Sequence, residues 1–284
     1  MAAASALDIV NGALNLLGAA KLAALDTTTE DGRKLSLIYE DARDELIRDL
    51  RPNFAKKRAI FHQVVNSEKT ITGATAADPV VITSAAHGFS NDDVVAIWDV
   101  GGMTDLNGKM YIVQNVATNT FELTDLQGND VDGTDFDTYT SGGKCGVVSA
   151  SPAFGFTYRY ALPSDYLMLL EIDENEDLTL PYSVEGGEIL TDEEELRGRY
   201  LYQVSTVSSM DKDFIKLLQY KIAAEAAYAI TNQTSIGEKW EQKYEKERAR
   251  AKGRKSQESG YPQSGGPPRD IVHDEWLNSR NSGA

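Results

Sequence analysis

Apolar residues recur at intervals of three and four at Ala6, Val10, Ala13, Leu14 and Leu17, the spacing of one helix face, and Gly18 is placed to end that helix. A second stripe, Leu35, Ile38, Tyr39, Ala42, Leu46 and Leu50, follows a capping box at Thr27 and Glu30 and stops at Pro52. Its opposite face carries Glu40, Arg43, Asp44 and Arg48, the composition of a solvated or subunit-facing surface. Far along the chain, Phe214, Leu217, Leu218, Ile222, Ala226 and Ile230 form a third stripe, with alanines at 223, 224, 226, 227 and 229 that allow close helix approach. A capping box at Ser235 and Glu238 opens a fourth helix, in which Ile236, Trp240 and Tyr244 sit four apart before the pattern becomes wholly charged.

Between these pairs the period changes to two. Phe154, Phe156, Tyr158 and Tyr160 alternate in a strand predicted over Phe154 to Leu162, Leu162-Pro163-Ser164-Asp165 reads as a turn, and Tyr166 to Ile172 reads as the next strand. Leu180 to Val184 and Arg199 to Val204 extend the same sheet. Neither pair of helices can bury its stripe alone, so the simplest fold brings both pairs together with this sheet at one end. Residues 67–150 follow a different pattern. Val80 to Thr83, Val94 to Trp98, Lys109 to Val113 and Thr120 to Leu123 are short strands separated by Gly, Asn and Asp clusters, as in a small antiparallel barrel or sandwich. From Ser256 to Arg269 the chain is rich in Gly, Pro, Ser and Gln, and an apolar cluster follows at Ile271, Val272, Trp276 and Leu277. The expected fold is α+β: an antiparallel helical bundle with a β-sheet tip over 1–66 and 151–255, an inserted all-β module at 67–150, and an extended C-terminal tail at 256–284.

Charge sharpens this division. The net charge of −16 argues against gripping nucleic acid, which needs clustered Lys and Arg to release counterions. Residues 1–67 balance nine acids with nine bases, 68–150 carry twelve acids against three bases, 151–240 sixteen against seven, and 241–284 seven against nine. The acid sits mid-chain and the ends are balanced, the pattern expected when different parts face different neighbours. Cys145 is a lone cysteine, expected on a strand and inert, consistent with folding in a reducing compartment. The Ala-rich start lacks a basic n-region and Asp8 interrupts it, so no signal peptide is expected; no apolar run reaches the length of a membrane span.

The chemical motifs fail on spacing. Gly102 to Lys109 has five residues between its glycines where a phosphate loop has four, and Met110 replaces the Ser or Thr that would hold magnesium. Asp130, Asp132, Asp135 and Asp137 lack the spacing of a calcium loop, with Ser141 at the position of the bidentate Glu. His62, His87 and His273 fall in separate segments without a second ligand at metal spacing. Asp165, Glu185 and the Glu193–Glu195 run are candidate carboxylates, but nothing in the sequence pairs them, so no enzyme, cofactor or metal is expected.

Several runs resemble the tail tubular protein A family, the head-to-tail adaptors of short-tailed bacteriophages. They are Ala6-Leu7, Ile9 to Asn11, Leu14 to Gly18, Leu37 to Leu46, Pro52 to Ala59, Phe154 to Phe156, Tyr158, Tyr160 to Pro163, Asp165, Tyr182, Val184 to Gly186 and Ile189 to Asp192. The resemblance implies a ring of twelve copies between the portal protein and the tail nozzle protein, a helical body with a β-tip, and a C-terminal extension that grips the portal. It places the protein in the virion neck, made in the host cytoplasm and away from membranes, with genomic DNA passing through unbound. Residues 67–150 depart from that family. They resemble a small module of phage structural proteins that is similar to a domain of ubiquitin-activating enzymes, through Thr83, His87-Gly88-Phe89, Asp93, Val95, Gly102-Met103, Leu106-Asn107-Gly108, Tyr111 and Val113. No ubiquitin chemistry follows, and an outward decoration is the role implied.

Twelve copies would set roughly twelve times −16 around a channel, and at a Debye length of ~8 Å acidic walls repel DNA and let it slide. The candidate lumen acids are Glu171, Asp173, Glu174, Glu188, Glu193, Glu194 and Glu195, with solvated outer faces as the competing placement. For the tail, Tyr261, Ile271, Val272, Trp276 and Leu277 are the candidate portal-binding residues on a tether that reaches ~45 Å when extended. Burying Ile271, Val272, Trp276 and Leu277 yields ~6 to 12 kcal/mol gross, which ordering the tether largely offsets, so firm attachment depends on repetition around a ring. The competing function is a tail-associated glycan or receptor-binding protein acting through 67–150, which requires Trp98 and Tyr111 to line a surface groove.

Overall fold

Ser5 starts the first helix, α1 (Ala6–Leu17), through a reciprocal cap: its hydroxyl accepts from the Asp8 N–H at 3.2 Å, and the Asp8 carboxylate accepts from the Ser5 N–H at 2.9 Å. Gly18, left-handed at φ 72°, ends it. The structure, a computed structural model, describes residues 5–25, 28–172 and 181–258. The chain divides into two compact units, Met1–Lys56 with Leu201–Ala284, and Lys57–Tyr200. This division groups the predicted β-tip with the inserted module, where the sequence pattern placed boundaries at 66/67 and 150/151.

In the first unit, helix α2 (Glu30–Leu50) is capped by Thr29, whose hydroxyl accepts from the Gly32 N–H at 3.0 Å. The expected cap, Thr27, lies outside the described residues. Three consecutive threonines are chemically equivalent caps, and only the register of the first turn selects among them. Helix α3 (Lys212–Thr231) packs against α1, α2 and the last helix, α4 (Thr234–Glu258). Ser235 falls inside the first turn of α4 instead of capping it, and α4 runs three residues into the stretch expected to be tail.

Buried stripe positions include Val10, Leu14 and Leu17 from α1, Leu35, Tyr39 and Leu46 from α2, and Leu217, Leu218 and Ile222 from α3, but Ile9 and Ile47 outside the stripes are buried too, and so is Arg43, which was expected on the solvated face of α2. Each large aliphatic chain removed from water contributes about 1.5–3 kcal/mol gross. Ala223, Ala226 and Ala227 are also buried, as close approach to α3 requires. Charged α4 is held by specific contacts. Trp240 stacks on Tyr220 at 5.5 Å, and Arg248 grips Asp49 of α2 at 2.6 and 2.8 Å with Lys252 adding a contact at 2.6 Å. The Arg248 hydrogen bonds hold the Asp49 carboxyl at about 2, well below the usual range. Lys221, 7% exposed, lies 2.9 Å from both Glu45 and Glu225. Burial pulls its pKa down, but the hydrogen bonds to the two carboxylates more than reverse this, so the ammonium ties α2 to α3 as a satisfied ion.

The second unit is built of strands. In chain order they are β1 (Lys56–Phe61), β2 (Lys69–Thr70), β3 (Gly73–Ala74), β4 (Val81–Thr83), β5 (Val94–Gly101), β6 (Lys109–Gln114) and β7 (Thr120–Thr124). They continue with β8 (Ser141–Val147), β9 (Tyr158–Ala161), β10 (Tyr166–Ile172), β11 (Tyr182–Glu185), β12 (Glu188–Thr191) and β13 (Leu196–Tyr202). Among the described residues they form three sheets, ordered β1-β13-β10, β11-β12-β9 and β2-β8-β5-β6-β7-β4-β3. The seven-stranded sheet curls into a half-barrel whose two edge strands are successive stretches of one segment. Ile71 donates to the Gly143 carbonyl on one side, and Thr72 donates to the Thr83 carbonyl on the other. Val80, Ile82, Val95, Ile97, Val113, Phe121, Leu123 and Cys145 fill its core. The protein is therefore α+β.

Two sequence expectations change here. Phe154 lies ahead of β9 and is 89% exposed, because the alternation from 154 continues into a glycine turn at Gly155 with φ 91°. The strands β1, β8 and β12 carry no clear period-two signal: β1 begins with Lys56, Lys57 and Arg58, and β8 reads Ser-Gly-Gly-Lys-Cys-Gly-Val. Pairing with neighbours fixes them, since backbone hydrogen bonds do not depend on side-chain pattern.

Candidate functional site

Residues 62–66 continue from β1 and join the module to the rest of its unit. The Ala161 N–H donates to His62 and the Val64 N–H to Arg159, while on the other side Asn66 donates to Val147 and Ser149 to Val64. The His62 ring stacks on Trp98 of β5 at 4.0 Å and 10°. Burial lowers the affinity of His62 for a proton, and its Nδ1 lies 3.0 Å from the Gln63 carbonyl. Gly108, at φ 77°, brings the turn before β6 so close to Ile60 of β1 that any side chain at 108 would overlap it. The module is thus stitched into its unit along both faces of one segment.

A cleft of about 320 Å³ opens on this unit, lined by Arg58, Ala59 and Ile60 of β1, Glu171 of β10, and Arg197, Gly198 and Arg199 of β13. Period-two alternation puts Arg197 and Arg199 on one face of β13. Gly198 turns the other way, where a Cβ would meet the Glu171 carbonyl oxygen at 2.7 Å and the Phe61 ring at 3.2 Å. That tight seam needs glycine. Arg199 makes a two-point pair with the Glu171 carboxylate, and Arg197 reaches Glu195 at 3.4 Å. Buried Gln63 donates to the Tyr160 hydroxyl at 3.1 Å and to the Glu194 carbonyl at 3.0 Å, and the Tyr160 hydroxyl reaches Glu194 at 2.6 Å. These bonds fix the acidic run beside the cleft.

The predicted site residues distribute as follows. Glu171 lines the cleft, Glu195 meets its Arg197 at 3.4 Å, and Glu188 is held by two nitrogens of the Arg159 fork at 2.8 Å. Three of the proposed lumen acids therefore carry arginine partners, which reduces the repelling field they supply. Glu193 and Glu194 are tied through their backbone carbonyls. Asp173 and Glu174, and the tail residues Tyr261, Ile271, Val272, Trp276 and Leu277, lie outside the described residues. Asp165 accepts from Lys57 at 2.5 Å and from the Tyr200 hydroxyl at 3.0 Å, a structural clamp. Sequence reasoning missed the arginine cleft. Its one legible sign was the Arg-Gly-Arg triplet at 197–199 inside an acidic stretch.

Trp98 and Tyr111, needed for glycan stacking, are 6% and 5% exposed, and burial raises the Tyr111 pKa. Cys145 is buried and its thiol is pushed up to about 12 by that burial, so it carries no thiolate chemistry. Among the described residues no group of three or more His, Cys, Asp and Glu is placed to hold a metal ion, and no helix is long and apolar enough to cross a membrane.

The module's characteristic residues each have a structural task. His87 uses both ring nitrogens, one 2.9 Å from the Ala117 carbonyl and one accepting from Phe89 at 3.1 Å. Asn107 imitates a strand by bonding both polar groups of Val100 at 2.8 and 2.9 Å, and Asp93 accepts from Ser90 at 2.7 Å. Consistent with this, residues 79–148 match the family described as the ubiquitin-activating enzyme E1 FCCH domain. The match leaves out β2 and β3, which complete the half-barrel. No curated protein matches the chain.

Proposed function

We propose that this chain is a structural subunit of a phage head-to-tail adaptor ring, an antiparallel helical bundle with a β-tip that joins the portal protein to the tail nozzle protein and forms part of the DNA ejection channel. The observation that carries this reading is the segregation of charge between units assembled from distant parts of the chain. Residues 1–56 with 201–284 hold twenty acids and twenty bases; residues 57–200 hold twenty-four acids against eight bases, the whole net charge of −16. A neutral helical unit can be tiled beside copies of itself without mutual repulsion, and a strongly acidic β unit does not retain DNA. The ordered family runs in both units and the FCCH-like module, of a kind found in phage structural proteins, support the same reading. No catalysis is assigned.

Mixing the purified chain with portal rings tests it. Light scattering should report a larger complex, and deleting 256–284 should weaken that complex at least tenfold. If the truncated chain binds portal as well as the intact one, the tail does not serve as anchor; if neither binds, the adaptor reading is wrong.

A further inference from the structure

Four bases of α4, Lys239, Lys243, Lys246 and Arg250, recur at intervals of four, three and four, which sets them in one exposed line about 17 Å long within an arc of about 60°. No carboxylate of α4 falls in that arc. Glu247, at its border, takes two of the four, Arg250 at 2.8 Å and Lys243 at 3.5 Å. Lys239 lies over the Trp240 ring at 5.6 Å, and Lys246 has no partner among the described residues. Exposed Lys216 of α3 adds to the line, since it and Lys243 each stand 6.0 Å from the Tyr220 ring.

A surface of opposite sign lies on the module. Residues 110–143 contain six acids and no Lys or Arg. Four of the six, Asp130, Asp132, Asp135 and Asp137, are exposed, and none of the four forms an ion pair among the described residues. Their loop is held in place: Val131 donates to the Leu123 carbonyl at 3.0 Å and accepts from Val80 at 2.9 Å, and Gly133 donates to the Ala77 carbonyl at 2.9 Å. A ridge already fixed loses little freedom on docking. We propose that the α4 line of one copy docks the Asp130–Asp137 ridge of a second copy of this chain. Four cations and four carboxylates, each in excess where it stands, neutralise one another, and the contact is heterologous, so it repeats from copy to copy. A phosphate backbone is the poorer occupant. So few cations release few counterions, and a polyanion would approach against the whole net charge of −16, which the β unit carries. The contact rests on the ring reading for the meeting of copies and names the surfaces through which they meet.

Sedimentation velocity over a concentration series in low salt tests the contact. The intact chain should associate, less so as salt rises, and Lys239→Glu/Lys246→Glu and Asp135→Lys/Asp137→Lys should each weaken association at least about tenfold when alone. Mixing the two variants should restore it, because each then meets a surface of opposite sign, and restoration also shows that both are folded. No association of the intact chain in low salt, undiminished association of either variant, or no restoration in the mixture overturns the proposal. So does low-salt uptake of a short DNA duplex that Lys239→Glu/Lys246→Glu abolishes, which gives the α4 line to nucleic acid. Portal rings mixed with the same proteins separate this contact from the ring reading. A chain that binds portal while its variants associate undiminished keeps the adaptor role and loses this contact; charge-dependent association without portal binding keeps the contact and removes the adaptor role.

Discussion

Burial of the His62 ring against Trp98 favours its neutral form, and this gives the β unit a pH dependence with a definite sign. The unfolded chain takes up a proton near pH 6.5 and the folded chain takes it up only at lower pH. The stability His62 contributes is therefore complete above about pH 6.5 and is lost as pH falls through the depressed folded value. Thermal melts should drop by a few degrees between neutral and mildly acidic pH, and His62→Phe, which keeps the stack and removes the titration, should flatten that dependence. Equal slopes for the two chains would remove His62 as the cause. Along the sequence His62 showed only that it has no second ligand at metal spacing, because its role depends on Trp98 arriving from β5.

The helices were the most legible elements, because a stripe at intervals of three and four marks one face whatever that face packs against. Leu14, Leu46, Leu218 and Ile222 are all buried as their spacing requires. Strands β8 and β12 were not read, because Gly142, Gly143 and Gly146 carry no side chains to alternate and Glu188 to Thr191 is too short for a pattern. The module also proved more than an appendage. The decoration role that the resemblance implies for 67–150 would leave the remaining strands intact on removal, but excision of 68–150 removes the Trp98 stack, the Asn66–Val147 and Val64–Ser149 hydrogen bonds, and the cover over Ile60. Replacing 68–150 by a short linker should therefore destabilise the remaining strands by about 2–4 kcal/mol, read as faster amide exchange in β1 and β9. Unchanged exchange there would mean that the junction contributes little.

Across the molecule, the charge imbalance predicts unequal responses to salt. Twenty-four acids against eight bases make the β unit self-repelling, whereas the helical unit is balanced. Raising ionic strength shortens the Debye length and relieves that repulsion, so amides of β5 and β8 should gain protection between low and high salt while those of α3 change little. A matching gain in both units would show that the segregation has no energetic consequence.

Periodicity and charge runs are local properties, which is why the four helices, the all-β character of 67–150 and the acidic middle could be read along the chain. The arginine cleft could not. Arg58 and Arg197 are distant in sequence, and only the order β1-β13-β10 makes them neighbours. Which acids remain unpaired was equally hidden, because an ion pair such as Glu171–Arg199 forms between strands whose adjacency is set by backbone hydrogen bonding and by the collapse of a shared core.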